Sequence, residues 1–391
     1  MRSSRILLSK VTFLAVFAFT RAATIINQMS KSQTSLSALC VVSRKACDIM
    51  APVISSFYTA INSNTSKLKA DASVFTIADG IVQHLLINHL FTGSKFRDVV
   101  GEEDGCLVNI TKRPFTVDNL TVPEEFNEAI ESVVTSINSL ATEINSQDYK
   151  DITIFIDPID GTREFSTSLG EQCSVCIGFS CIAGEPVAGL VYRPLTHPPT
   201  WAAGALSEQF TASNLDMAPA LNTRGLLTSN GGISSFVAKL IEELDYERVP
   251  AGGAGNKMLM LLEGKGTAYI QDRGVSRWDT SGAQAVIEAY GGKLSKLTTF
   301  MKSKELASYT YLKSDVNLDF EPGVANLTPF NCADKGSIKK GEVRSATNVE
   351  AVQPYSNLCG LIAVSNSAVP QLDTIYEATS RASKLAPPSF D

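Results

Sequence analysis

A buried-strand pattern that ends abruptly in acid restricts this chain more than any other feature. Asp151-Ile-Thr-Ile-Phe-Ile-Asp157 is rich in β-branched and aromatic residues, the composition of a buried strand. It runs straight into Pro158, Ile159, the Asp160-Gly161 turn and Thr162. Two carboxylates therefore flank a proline at the mouth of the strand. Carboxylates so close repel one another, and burying either is costly unless a cation is present. A divalent metal resolves that conflict. Magnesium takes oxygen ligands and keeps several waters, so a few carboxylates plus a substrate phosphate suffice. Two such ions generate a nucleophilic water and clamp the leaving oxygen. The plainer alternative is an ordinary turn, since Asp, Pro and Gly are the turn residues.

Three other acidic positions lie at the edges of elements: Asp79, Glu102-Glu103 and Asp279. Taken singly, Glu102-Glu103 is a solvated pair and Asp279 an N-cap for the helix that follows Trp278. Gly161 permits close backbone approach and Thr162 offers a hydroxyl. Arg163-Glu-Phe begins a helix, which would aim free N–H groups at a phosphate.

The chain has 391 residues, 44% of them hydrophobic, enough for one large domain or two of ordinary size. Residues 1–30 read as a targeting segment. Arg2, Arg5 and Lys10 precede the apolar run Val11–Phe19, which is shorter than the roughly 20 residues that span a bilayer. That fits a signal peptide, and the absence of Asp or Glu before Asp48 also fits a transit peptide. An organelle or the secretory pathway is expected, with the cytoplasm as alternative and no stable membrane insertion. Residues 31–195 read as helices followed by a mostly antiparallel sheet: two helices within 32–92, a strand at 98–103, a helix at 124–144, and strands at 172–182 and 187–193. His84 and His89 are five apart and share no i, i+4 face, so no metal pair is expected there. From 196 to 391 strands and helices alternate, around an irregular polar insert at 298–350, and a helix at 366–383 closes the chain. The fold class is an α+β half followed by an α/β half.

A formal charge of −6 provides no global field for nucleic acid, so any phosphate must be held locally. Eight cysteines in so long a chain are not a disulfide framework. Cys173-x-x-Cys176, with Cys181 close behind, reads as small apolar residues of a strand rather than a zinc or redox site. A zinc site needs four placed ligands, and no second C-x-x-C exists. Asn64, Asn109, Asn119 and Asn326 begin glycosylation acceptor patterns, relevant only to a secreted chain.

Val100-Gly-Glu-Glu103, Asp157-Pro-Ile-Asp-Gly-Thr162 and Trp278-Asp-Thr-Ser-Gly-Ala-Gln-Ala-Val-Ile-Glu-Ala-Tyr-Gly-Gly292 occur in that order. Together they resemble the signatures of the inositol monophosphatase superfamily, the lithium-sensitive, magnesium-dependent phosphatases, over roughly residues 35–297. Within it, Val100–Asp104, Asp157–Phe165, Gly252-Gly-Ala-Gly-Asn-Lys257 and Leu262–Tyr269 are most similar to 3′(2′),5′-bisphosphate nucleotidases. The related inositol polyphosphate 1-phosphatases share much of this.

The resemblance implies a layered αβαβα sandwich. It implies that Glu102, Asp157, the carbonyl of Ile159, Asp160 and Asp279 bind two or three magnesium ions. Thr162 and Asp79 would orient and deprotonate the attacking water, and Glu103 would support the metal shell. The amides of Gly161 and Thr162 would hold the phosphate. Gly253, Gly255 and Lys257 would meet the rest of the substrate, with Ser229 nearby. Two departures stand out. Thr228-Ser-Asn-Gly-Gly-Ile lacks the basic and histidine residues that many nucleotidases place there, and the insert is longer, more like the polyphosphate 1-phosphatases. The expected reaction is in-line attack of water on the 3′-phosphate of 3′-phosphoadenosine 5′-phosphate, giving AMP and phosphate. The 1-phosphate of an inositol polyphosphate is the alternative. An inactive phosphate-binding regulator is a third possibility, disfavoured because no expected carboxylate is missing. The assembly expected is a monomer or homodimer.

Overall fold

Alternation along the strands sorts this chain into layers. In the computed structural model, which describes residues 35–62, 64–69, 74–93, 95–103, 105–145, 147–219, 224–272, 275–312, 356–357 and 360–388, one sheet has six strands. They are β1 (Lys95–Gly101), β2 (Asp148–Asp160), β3 (Ser174–Ser180), β4 (Pro186–Arg193), β5 (Thr200–Ala205) and β6 (Phe210–Ser213), in spatial order β6-β5-β4-β3-β2-β1. Only the β1–β2 pair is parallel. A second, mixed sheet comprises β7 (Gly225–Thr228), β8 (Glu247–Pro250), β9 (Ala268–Gln271), β10 (Lys293–Lys296) and β11 (Leu361–Val364), in the order β8-β7-β9-β11-β10.

Successive strand residues point to opposite faces, and the cores follow that rule. Ile154, Ile156, Val175 and Ile177 face helices α1 (Leu36–Thr59), α2 (Ile77–Leu85) and α3 (Asn127–Ala141) in one apolar cluster. Their neighbours Phe155 and Cys176 join a second cluster. A one-turn helix, α4 (Thr162–Phe165), follows β2; later come α5 (Ser235–Leu244), α6 (Ala254–Leu262), α7 (Arg277–Ala289), α8 (Leu297–Ser303) and α9 (Leu372–Leu385). The second cluster fills the space between the sheets with Met258 and Leu261 of α6 and Val286 and Ile287 of α7, against Leu227, Tyr269 and Ala363. Leu226, Ile270, Ile362 and Val364 point away to a third cluster under α5, α8 and α9. The order is helix, sheet, helix, sheet, helix, the αβαβα sandwich.

The sequence boundaries need three corrections. The proline-rich stretch near 195 does not separate the halves: Arg193 pairs directly with Thr200, so it is a hairpin loop and the first sheet continues to Ser213. The insert does not begin irregularly, because Leu297–Ser303 is helical and Tyr309 and Tyr311 are buried; residues 313–350 lie outside those described, as do residues 1–30, Asn326, Cys332 and Cys359. The rings of His84 and His89 do meet, at 5.3 Å between centroids. Leu86–Leu90 is a π-helical turn, and its wider i→i+5 winding aligns residues five apart. Among the described residues these histidines belong to no candidate metal group.

Helix α7 lies unusually close to the first sheet. Gly178, Gly189 and Gly204 sit side by side across β3, β4 and β5. A Cβ on Gly189 would lie 2.4 Å from the Gly282 carbonyl oxygen, and one on Gly178 would lie 2.4 Å from the Gly282 amide. Backbone meets backbone there, with no flexible side chain to yield. Replacing Gly189 by Ala is therefore expected to cost about 1–3 kcal/mol or more as overpacking, read by denaturant unfolding. Because α7 carries Asp279, divalent-cation affinity should fall in the same variant; unchanged stability and affinity would show that the close approach has no such role.

Candidate active site

A one-residue defect in β2 creates the site. Asp157 pairs with Cys176 and Asp160 with Ser174, so three steps on β2 oppose two on β3. In a regular strand residues three apart face opposite sides; a bulge of one residue brings them to the same side. Pro158, which has no N–H to donate, falls inside the irregularity. Asp157, Asp160 and Asp279 thereby present carboxylate oxygens within 4.8 Å of one another.

Asp279 arrives through helix capping, but not as the N-cap. Ser276 is the cap residue, and Asp279, three residues on, accepts the Ser276 N–H at 2.7 Å. Asp79 is held in the same way at the start of α2. Its Oδ2 accepts the Thr76 N–H at 2.8 Å and the Thr76 hydroxyl at 2.6 Å. Its Oδ1 lies 3.2 Å from Thr162 Oγ1, which is also 2.9 Å from the carbonyl oxygen of Ile159. One carboxylate oxygen of each box thus fixes a helix start.

Asp160 joins the first sheet to helix α6 of the middle layer. Its Oδ1 accepts the Ala254 N–H at 2.9 Å, and its Oδ2 accepts the Gly255 N–H at 2.7 Å and the Ser174 hydroxyl at 2.9 Å. It satisfies the first amides of α6, which otherwise lack acceptors. Gly255 is therefore a buried partner of Asp160 rather than a substrate contact, and a Cβ there would lie 2.5 Å from Cys176 Sγ. Gly253 has φ +63, and a Cβ on it would lie 2.8 Å from Asp160 Oδ2. Gly161 has φ +93 and opens α4, so its conformation favours glycine. Cys173 and Cys176 are buried, unbonded thiols; Cys173 Sγ donates to the Gly161 carbonyl at 3.1 Å. Among the described residues no cysteine belongs to a candidate ligand group.

Glu102 and Glu103 follow β1 directly, and the Glu102 N–H still pairs with Ile156 at 3.1 Å. Glu102 is not in the three-carboxylate group. It instead receives Lys69 Nζ at 2.9 Å, and the same ammonium bonds Glu103. Lys69 escaped sequence reasoning because only folding brings it to the carboxylates. Gln83 escaped it too. Its side-chain amide grips the Glu103 backbone from both sides, Nε2 to O and Oε1 to N, each at 2.9 Å. One signal existed: Gln83 lies one helical turn beyond Asp79 and so on the same face.

Burial dominates the electrostatics. It raises Asp79 to about 6, against the nearby Lys69 charge. It raises Asp279 to about 7, helped by Asp160 and Glu102. It raises Glu103 to about 8, helped by Glu102 and Asp79. Asp157 is pushed well above the carboxylate range by burial and by Glu102, Asp160 and Asp279, and it shares a side-chain hydrogen bond with Asp279. Burial lowers Lys257 to about 8 although Asp160 favours its charge. A carboxylate pair held together by one proton is what a cation would replace. The all-oxygen donor set suits magnesium or calcium; oxygens on one magnesium are at most about 4.2 Å apart, twice a bond of 2.1 Å, so the three carboxylates would have to draw together to share one ion.

A cleft of about 350 Å³ opens beside this cluster, lined in part by Arg163, Ser229, Asn230, Gly253 and Lys257. Asn230 ties its rim to the connection between β2 and β3, donating to Glu164 at 2.8 Å and to Gln172 at 2.9 Å. Ser229, Gly253 and Lys257 thus share one cleft, while the sequence had assigned no site role to Glu164, Gln172 or Asn230.

Residues 35–318 match the family model described as the inositol monophosphatase family. The mouse protein named 3′(2′),5′-bisphosphate nucleotidase 1 is 27% identical over 267 residues, 66% of this chain and 80% of its own. A protein of Callithrix jacchus named Golgi-resident adenosine 3′,5′-bisphosphate 3′-phosphatase is 29% identical over 169 residues, 41% of this chain and 44% of its own. The crystal structure of the extragenic suppressor protein suhB from Bartonella henselae aligns over 88% of this chain and 99% of its own, with a TM-score of 0.52 and 14% identity.

The raised carboxyl pKa values carry a sign. The folded state binds more protons than the unfolded chain, so stability is fully present below the unfolded value near 4 and is lost as pH rises through the folded values of about 6, 7 and 8. In chelator, melting temperature should fall between about pH 5 and 8, and excess magnesium should flatten that slope. Asp157→Asn should flatten it without metal while weakening magnesium binding. A metal-free melt independent of pH would count against the electrostatic account.

Proposed function

Because the chain belongs to the inositol monophosphatase family, and is therefore a hydrolase of phosphomonoesters, we propose that it uses magnesium to remove the 3′-phosphate of an adenosine 3′,5′-bisphosphate. The observation that carries this is the Asp157–Asp160–Asp279 oxygen cluster, with Asp157 and Asp160 buried and Asp279 half-buried, and a hydroxyl–carboxylate pair, Thr162 and Asp79, beside it. These carboxylates would hold the cation, joined by the Ile159 carbonyl and by Glu102 once Lys69 yields it. When bound, the cation acidifies a water and offsets charge on the leaving oxygen.

The chain's own groups do the rest. The Thr162 hydroxyl accepts a hydrogen bond from the attacking water and passes its own hydrogen towards Asp79 Oδ1. With its pKa near 6, Asp79 accepts a proton close to neutral pH. Glu103, gripped by Gln83, holds the adjoining carboxylates in register. The amides of Gly161 and Thr162, at the first turn of α4, face the phosphate oxygens. Lys257, Gly253 and Ser229 border the space for the remainder of the substrate.

The nucleotide assignment is supported by the alignment with the mouse nucleotidase across most of that protein's length and by the cleft beside the metal ligands. The basic-residue-poor loop at Ser229–Ser234 favours the second assignment, an inositol polyphosphate 1-phosphatase. The likeness to a Golgi-resident relative and the apolar run Val11–Phe19 support a place in the secretory pathway. Among the described residues no helix is long and apolar enough to cross a membrane.

The deciding assay measures phosphate release from 3′-phosphoadenosine 5′-phosphate and from inositol 1,4-bisphosphate, with magnesium and with added lithium. Preference for the nucleotide, inhibited by lithium, is expected. Thr162→Val should lower kcat about 10²–10⁴-fold, the range for general acid–base groups, and Asp157→Asn should abolish turnover. Release from neither substrate, or full activity in Asp157→Asn, would overturn the proposal.

A further inference from the structure

The cleft beside the carboxylates is bordered by two acids, Glu164 and Asp272, and by two bases. Lys257 and Arg163 are the basic residues that border it. Lys257 is buried and engaged: its Nζ donates to the Ala251 carbonyl at 3.2 Å and lies 4.9 Å from the Tyr269 ring centroid. Arg248, behind the rim, is spent on the loop itself, donating to Thr228 Oγ1 at 3.0 Å and to the Ser229 carbonyl at 2.8 Å. Arg163 differs. Its side chain is exposed, and among the described residues its guanidinium has no ion pair.

Arg163 extends from the turn after Thr162 towards the glycines of the Ser229–Ser234 loop. Its backbone follows Thr162, whose hydroxyl meets Asp79. Its Nη1 lies 3.3 Å from where a Cβ on Gly231 would stand, and a Cβ on Gly232 would meet nothing within 4 Å. The guanidinium therefore reaches from the reacting turn to the glycines of the opposite rim, with open space beside it. Glu164, the adjacent acid, is turned into the Asn230 bond and does not pair with it.

We propose that Arg163 is a specificity-determining residue that reads the second, non-reacting phosphate of a bisphosphorylated substrate across this cleft. This rests on the nucleotide bisphosphate assignment above. The planar fork of a guanidinium matches two phosphate oxygens at once, and the rim loop Thr228-Ser-Asn-Gly-Gly-Ile-Ser234 has no cation of its own. Arg163 supplies from the strand side the charge that the loop lacks. The glycines keep the approach open.

The test compares kcat/KM for 3′-phosphoadenosine 5′-phosphate with that for adenosine 3′-monophosphate, in wild type, Arg163→Met and Arg163→Lys. Arg163→Met should lower the bisphosphate value about 10- to 100-fold more than the monophosphate value, the worth of a charge-assisted contact, with the change mainly in KM. Arg163→Lys should recover part of it. Calorimetric titration with adenosine 5′-monophosphate, which carries the non-reacting phosphate alone, should show the same loss without turnover. Equal loss on both substrates, or none, would overturn the role of Arg163 while leaving the nucleotidase assignment standing. Wild-type inactivity on both nucleotides would overturn that assignment and this one with it.

Discussion

Three carboxylates within reach of one another, two buried and the third half-buried, are the constraint on which this molecule turns. Asp157, Asp160 and Asp279 come from the end of a strand, from beyond its bulge and from the first turn of a distant helix. No arrangement of hydrogen bonds alone keeps three such groups ionised away from water. Without a cation, burial raises their pKa values, and Asp157 and Asp279 share a proton. The fold holds this unfavourable cluster together because each member is also built into the architecture. Asp160 satisfies the first amides of α6, and Asp279 completes the capping box of α7. The clustered charges are the same groups that start the helices between the sheets.

That double use explains why the middle layer must fit so closely. Helix α7 can deliver Asp279 to the strand end only if its backbone sinks onto the row Gly178, Gly189 and Gly204. Cys40 seals the far side of that row, its thiol directed to the carbonyls of Gly189 and Gly204. Buried Arg193 ties β4 to α6 through Glu263, at 3.0 Å, and the Asn256 carbonyl. Positioning of the site is thus distributed across backbone contacts far from it, while the clustered carboxylates themselves lie within a few residues of two helix starts and one bulge. The cleft beside them is lined by helix starts, strand ends and the Ser229–Ser234 loop.

The element pattern was largely legible in the sequence because periodicity reports burial directly. The β2 run, the Ala254 helix, the Trp278 helix and the closing strand at Leu361 all carry local signals. Boundaries that depend on pairing were not legible: the prolines after Arg193 look like a linker, and only the ladder between Arg193 and Thr200 shows a hairpin. The contact between His84 and His89 required a π turn that no spacing rule foretells. Gly255 resembled a substrate contact by its motif, yet its amide is committed to Asp160.

The sequence by itself determined which residues are acidic at element edges, and the order and spacing of the motifs that mark the family. Local chemistry sufficed for that, since turn residues, capping residues and strand formers act on their near neighbours. Tertiary structure alone decided that Asp157 and Asp160 share a face, because a one-residue bulge reverses the alternation that sequence spacing implies. It alone brought Lys69 onto Glu102 and Glu103, Gln83 onto the Glu103 backbone, and Arg163 across from Gly231. Those contacts join segments far apart in the chain, and their geometry comes from the packing of whole layers rather than from any residue's own preference.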